Sequence, residues 1–149
     1  MSNAASLLGT WKLKSWVTEV VETKERFSFF GALPNGYIHF NLDGRVFAVL
    51  TAEERKPVAS EADQIVAFST LVAYTGRFRI DGNKLITTVD VSADPAMVGT
   101  DLVRFYKCEK DSLDITTAPF VSDKPSHSFG GRLLQSYLLW QRERRLTWG

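Results

Sequence analysis

Trp11 stands at the head of the first strand-like run, Leu8-Gly9-Thr10-Trp11-Lys12-Leu13. Arg142 closes the last one, Leu138-Leu139-Trp140-Gln141-Arg142. A tryptophan that opens the first strand of a closed barrel needs cover for its ring. A guanidinium from the last strand can supply that cover by lying flat on the indole. The pair predicts that the two ends of the chain meet, which restricts the fold to one whose first and last strands are neighbours.

Between those ends the pattern is mostly strand. Alternation or short apolar runs mark Thr10–Val21, Lys24–Phe30, Tyr37–Leu42, Arg45–Thr51, Tyr74–Ile80, Lys84–Val91, Leu102–Cys108, Ser112–Thr117 and Leu133–Arg142. On the first run, alternation puts Trp11, Leu13, Ser15 and Val17 on one face, with Lys12, Lys14 and Trp16 on the other. Asp43-Gly44, Asp81-Gly82-Asn83 and Lys110-Asp111 read as tight hairpin turns; Asp-Gly suits a turn with positive φ at both central positions. The polar stretches 92–100 and 119–131 read as loops. Ala59–Ala73 is the one helical segment. Ser60 can cap it, Glu61 and Asp63 suit its first turn, and Ile65, Phe68, Ser69 and Val72 make an apolar stripe. The expected fold is all-β: a single antiparallel up-and-down barrel of about 8–10 strands, with that helix capping one end.

With 149 residues the chain fits one domain. The barrel is expected over 6–145, between tails at 1–5 and 146–149. Ser2-Asn3-Ala4 has the look of a cloning scar and carries no weight in the fold. A net charge of +1 with no basic run gives no electrostatic case for nucleic acid or an anionic membrane. The cluster Arg142, Arg144, Arg145 is interrupted by Glu143 and reads as a solvated strand end. Cys108 is the only cysteine, so neither an intrachain disulfide nor a thiol metal cluster can form. No apolar run nears the roughly 20 residues of a membrane span. The N-terminus lacks the charged lead and apolar core of a secretory signal. The expected location is the cytoplasm, and a homodimer is compatible with the sequence.

The ordered pieces of the chain resemble a known family. They are Leu8-Gly9-Thr10-Trp11-Lys12-Leu13-Lys14-Ser15-Trp16, Gly36-Tyr37-Ile38-His39-Phe40 with Asp43-Gly44-Arg45, and Tyr74-Thr75-Gly76-Arg77-Phe78. Val91-Ser92-Ala93-Asp94-Pro95, Gly99-Thr100, Arg104-Phe105-Tyr106 and Leu139-Trp140-Gln141-Arg142 follow. Together they resemble the lipocalin-like domain family of bacterial and fungal proteins, within the calycin superfamily of ligand-binding barrels. The resemblance implies a barrel whose interior holds a small apolar molecule. In the family pattern a histidine often stands where this chain has Thr87, so any function of that histidine does not carry over.

Candidate chemistry follows from strand faces. Leu102, Arg104 and Tyr106 share a face, so an inward Arg104 would be a buried cation in need of a partner. That partner could be a carboxylate of the chain, such as Asp90, or a ligand carboxylate, phenolate or enolate. His39 shares a face with Tyr37 and is the best general-base candidate; a hydrogen-bonded surface histidine is the alternative. His127 lies in the loop 119–131 and could cover a barrel mouth. Twelve per cent of the chain is aromatic, which suits both a core and a pocket wall. The expected ligand-binding set is Tyr37, His39, Phe47, Tyr74, Phe78, Arg104, Tyr106 and Tyr137, with His39 and Arg104 as catalytic candidates.

No metal-ligand spacing, phosphate-binding glycine loop or nucleophile elbow occurs, so no cofactor is expected. Beside a plain structural domain with a filled core, two functions remain open. One is a binding protein for a small hydrophobic or aromatic metabolite. The other is a cofactor-free isomerase or cyclase acting on a polyketide- or terpenoid-like metabolite in the same cavity.

Overall fold

The computed structural model describes residues 4–122 and 131–144. A short helix, α1 (Ala4–Leu7), precedes β1 (Gly9–Val20), β2 (Arg26–Phe27), β3 (Asn35–Phe40) and β4 (Arg45–Thr51). Helix α2 (Glu61–Ser69) follows, then β5 (Leu71–Asp81), β6 (Lys84–Ser92) and a 3₁₀ turn at Pro95–Met97. The chain ends with β7 (Asp101–Glu109), β8 (Ser112–Thr117), β9 (Phe120–Val121) and β10 (Leu133–Arg142). All strand pairs are antiparallel and near neighbours in sequence, and β1 also pairs with β10. That last pairing closes an eight-stranded barrel, with the two-residue strands β2 and β9 appended to its rim. The all-β antiparallel barrel expected from the sequence is the fold observed.

The ends meet as expected. The Arg142 guanidinium carbon lies 4.2 Å from the centroid of the Trp11 ring. Arg142 also donates to the carbonyls of Leu8 and Ser6, each at 2.8 Å, and to that of Lys110 at 3.2 Å. One side chain thus ties α1, the start of β1 and the β7–β8 turn together. Beneath it, the Trp11 indole N–H donates to the Leu7 carbonyl at 2.9 Å, and both residues are fully buried. This end of the barrel is therefore plugged by α1, whose first two residues, Ala4 and Ala5, fall within the expected tail 1–5. The expected tail 146–149 lies outside the described residues.

Helix α2 does not play the capping part expected of it. Ser60 caps it as predicted, accepting from the Asp63 N–H, while Asp63 accepts from the Ala59 N–H. Arg55 binds the far end, donating to the Ala67 carbonyl at 2.8 Å. Yet α2 buries none of its residues, and Ile65 and Phe68 are 70% and 54% exposed. Ile65 and Phe68 of the expected stripe face solvent, while Val72 turns to the cavity wall. The helix is also shorter than the expected 59–73, because Leu71 and Val72 pair with Thr51 and Leu50 and begin β5.

Two irregularities shape the barrel. A bulge in β1 between Leu13 and Ser15 reverses the inside–outside alternation. Trp11 and Leu13 point inward before it. After it, Trp16, not Val17, takes the inner face, paired with Leu138, and Thr18 meets Ser136 through a buried 2.8 Å hydrogen bond. The expected face of Trp11, Leu13, Ser15 and Val17 is corrected accordingly. A second bulge inserts Asp90 opposite Thr75 and Gly76. There β5 and β6 approach so closely that a Cβ at Gly76 would overlap the Thr88 carbonyl. At the β3–β4 hairpin only Gly44 takes positive φ, and the Asn41 N–H donates to the Arg45 carbonyl at 2.8 Å. The turn thus has Leu42, Asp43 and Gly44 as its loop, instead of the expected two-residue turn.

Candidate functional site

The plugged end holds the tightest part of the core, including Leu7, Trp11, Phe40, Leu113 and Trp140. Toward the other end the barrel opens into a cavity of about 460 Å³. That volume falls in the ordinary range for a small-molecule site. Its wall is made by the inward positions of the strands. Ile38 of β3, Ala48 of β4, Leu85 of β6, Ile115 of β8 and Leu138 of β10 supply aliphatic surface. Thr87, Thr117 and Ser136 add hydroxyls, Trp16 adds an indole, and Met97 and Phe120 stand on the segments after β6 and β8.

Arg104 and Tyr74 are the ionisable side chains on this wall among the described residues. β7 carries Arg104 inward between Leu102 and Tyr106, as alternation predicts. Among the described residues its side chain makes one hydrogen bond, donated by Nη1 to the neighbouring Val103 carbonyl at 3.2 Å. Among the described residues no carboxylate lies within ion-pairing distance of it. Burial pulls the guanidinium below its ordinary pKa, and Tyr74 acts in the opposite direction. Burial pushes the Tyr74 phenol up, and the positive charge of Arg104 partly offsets this. An arginine ordinarily titrates so far above neutrality that Arg104 keeps its charge. The cavity is therefore apolar over most of its wall, with one cation and one phenol hydroxyl facing each other electrostatically.

Asp90 is not the partner of Arg104. It projects outward and forms a bidentate pair with Arg45, at 3.0 Å to Nη1 and 2.9 Å to Nη2. That hydrogen bonding holds the Asp90 carboxyl below its usual pKa. The pair lies on the outside of the barrel, so a salt bridge that would have neutralised Arg104 is spent elsewhere.

The structure divides the expected binding set. Tyr74 and Arg104 line the cavity. His39 does not: β3 turns Ile38 and Phe40 inward and His39 outward, where its Nδ1 lies 2.7 Å from Thr10 Oγ1. Tyr37 is on the same outer face and 46% exposed, and Phe47 of β4, which pairs with His39, is likewise exposed. Tyr137 faces outward too. Its hydroxyl donates to Gln135 Oε1 at 3.1 Å, and the Arg26 guanidinium stands 5.8 Å from its ring. Phe78 points inward but packs edge-on against Phe40, 5.1 Å between centroids, in the filled core. Tyr106 is also a core residue, its buried hydroxyl without a hydrogen-bond partner among the described residues. The reason for the outward group is simple parity: on β3, β4 and β10 the apolar alternation has a counterpart on both faces, and an aromatic ring does not reveal which side is wet. His127 lies outside the described residues.

Trp16, Thr87, Thr117 and Ser136 line the cavity without having been picked out from the sequence. The last three were legible as the inner partners of Leu85, Ile115 and Leu134 by alternation. Trp16 was hidden by the bulge. Thr87 is a buried part of the wall.

Among the described residues no group of three or more His, Cys, Asp or Glu side chains is placed to hold a metal. No helix there is long and apolar enough to cross a membrane. No curated protein matches the chain. A family model described as a lipocalin-like domain matches residues 8–143. The match runs from the strand that carries Trp11 to the residue after Arg142, so it takes in the whole closed barrel and its cavity wall. With the closed eight-stranded architecture in place, the chain belongs to the lipocalin-like domain family.

Proposed function

We propose that this barrel binds a small, largely apolar molecule in its interior and orients it by an anionic group set against Arg104. The observation that carries this reading is Arg104, the one cation that the described residues place on this apolar wall, with no carboxylate among them to pair it. A partly buried guanidinium without a carboxylate is costly. An incoming carboxylate, phenolate or enolate offsets that cost through paired charge-assisted hydrogen bonds. Tyr74 adds a neutral hydroxyl that can donate to the same group. The aliphatic remainder of the wall takes the ligand's apolar body, at about 25 cal/mol for each Å² removed from water.

Of the two catalytic candidates only Arg104 lines the cavity; His39 stands on the opposite face of β3, so general-base catalysis by it has no place there. Carriage of the ligand is therefore the better-supported reading. The test is calorimetric titration with undecanoate and with undecanol, which share a chain and differ in charge. Undecanoate is expected to bind at least about tenfold more tightly, the scale of a charge-assisted contact. Equal affinities would remove the case for Arg104. Conversion of a bound probe into a new product would move the reading to an enzyme.

A further inference from the structure

A second depression of about 330 Å³ opens beside the barrel cavity. Its wall differs in character. Trp16, Phe27, Phe29, Phe30 and Phe120 supply aromatic rings, and the hydroxyl residues Ser28, Ser69, Thr70 and Ser122 stand among them. The rings are organised: Trp16 meets Phe30 edge-on at 4.7 Å and Phe29 at 5.7 Å, and Phe27 meets Phe29 edge-on at 4.8 Å. Trp16, Val72 and Phe120 line both compartments, so the two spaces share a wall. Trp16 reaches that position only because the β1 bulge turns it inward.

We propose that the two compartments form one bipartite site for an acid that carries an aromatic group at its far end. This rests on the reading of Arg104 above. The acidic head takes the barrel interior and the apolar chain passes Trp16. A planar terminal group then lies among the rings of the outer compartment. Edge-to-face contacts reward an aromatic group there beyond its buried area. The ligand class is thus an aryl-terminated carboxylic acid or its phenolic or enolic equivalent, not a plain aliphatic acid.

The test uses the full chain and two probes, 11-(dansylamino)undecanoate and undecanoate. They share head and chain, and only the first has an aromatic end. Ser28→Trp and Ser69→Trp fill the outer compartment from positions that do not line the barrel cavity. Each is expected to weaken the dansyl probe about tenfold and to cancel its emission blue shift. Each leaves undecanoate within about twofold of the unmodified protein, which also shows that the variant has folded. If both variants bind the dansyl probe as tightly as the unmodified protein does, the bipartite site is overturned while the role of Arg104 stands. If undecanoate and the dansyl probe both bind Arg104→Met undiminished, the Arg104 reading falls and takes the bipartite site with it.

Discussion

Arg104 is a cation whose partner is not part of the described chain, and that defines the residue-scale behaviour of this protein. Replacing it with methionine keeps the aliphatic length and deletes the charge. Arg104→Met is expected to melt at or above the temperature of the unmodified protein, since a partly buried charge with no carboxylate partner among the described residues destabilises the fold. The same variant should lose at least about tenfold in undecanoate affinity. A drop in melting temperature together with unchanged affinity would identify Arg104 as a structural residue. Tyr74 gives an independent check. Burial raises its pKa above the ordinary phenol value, so the folded protein keeps it neutral where the unfolded chain would ionise it. Its contribution to stability is complete below about pH 10 and fades as pH rises through the higher folded value. An ultraviolet titration of the unmodified protein and Tyr74→Phe should differ by one phenol that ionises above the ordinary range. His39 provides the contrast: His39→Ala, on the outer face beside Thr10, should leave undecanoate binding unchanged within about twofold.

At the scale of elements, the Trp11–Arg142 clasp and the β5–β6 close approach hold the barrel, and α2 does not. Arg142→Ala removes the ring contact and the hydrogen bonds to Leu8, Ser6 and Lys110. The expected loss is about 3 kcal/mol in urea unfolding, with undecanoate affinity preserved. Gly76→Ala should be far more damaging, because β6 backbone occupies the space its methyl group needs. Ile65→Glu on exposed α2 should change stability by no more than about 0.5 kcal/mol. The strands were legible in the sequence because each alternates and ends at Gly, Pro or Asp chemistry. The helix was legible through Ser60 and Asp63. Its exposure was not, since an apolar stripe describes one element and says nothing of what lies against it. Nor was the β1 bulge: one extra residue at Lys14 leaves the composition of the strand unaltered and turns Trp16 from outside to inside.

For the whole molecule, closure was the most legible property. A tryptophan at one end and an arginine at the other specify neighbouring first and last strands, and the barrel follows. The candidate site was legible only where alternation ran undisturbed, at Arg104 and Tyr74. On β3, β4 and β10, aromatic residues occur on outer faces as well, and Tyr37, Phe47 and Tyr137 were drawn from those. On the proposed reading the barrel has a filled end under Trp11 that serves stability and an open end around Arg104 that takes the ligand. The most direct measurement is a carbon-13 NMR titration of carboxyl-labelled undecanoate bound to the protein. If the carboxylate lies against Arg104, its resonance titrates at a lower pH than that of free undecanoate in the same buffer, and moves upward in Arg104→Met. A bound carboxyl that titrates above the free acid, and does so identically with and without Arg104, would contradict an interior built to hold an anion.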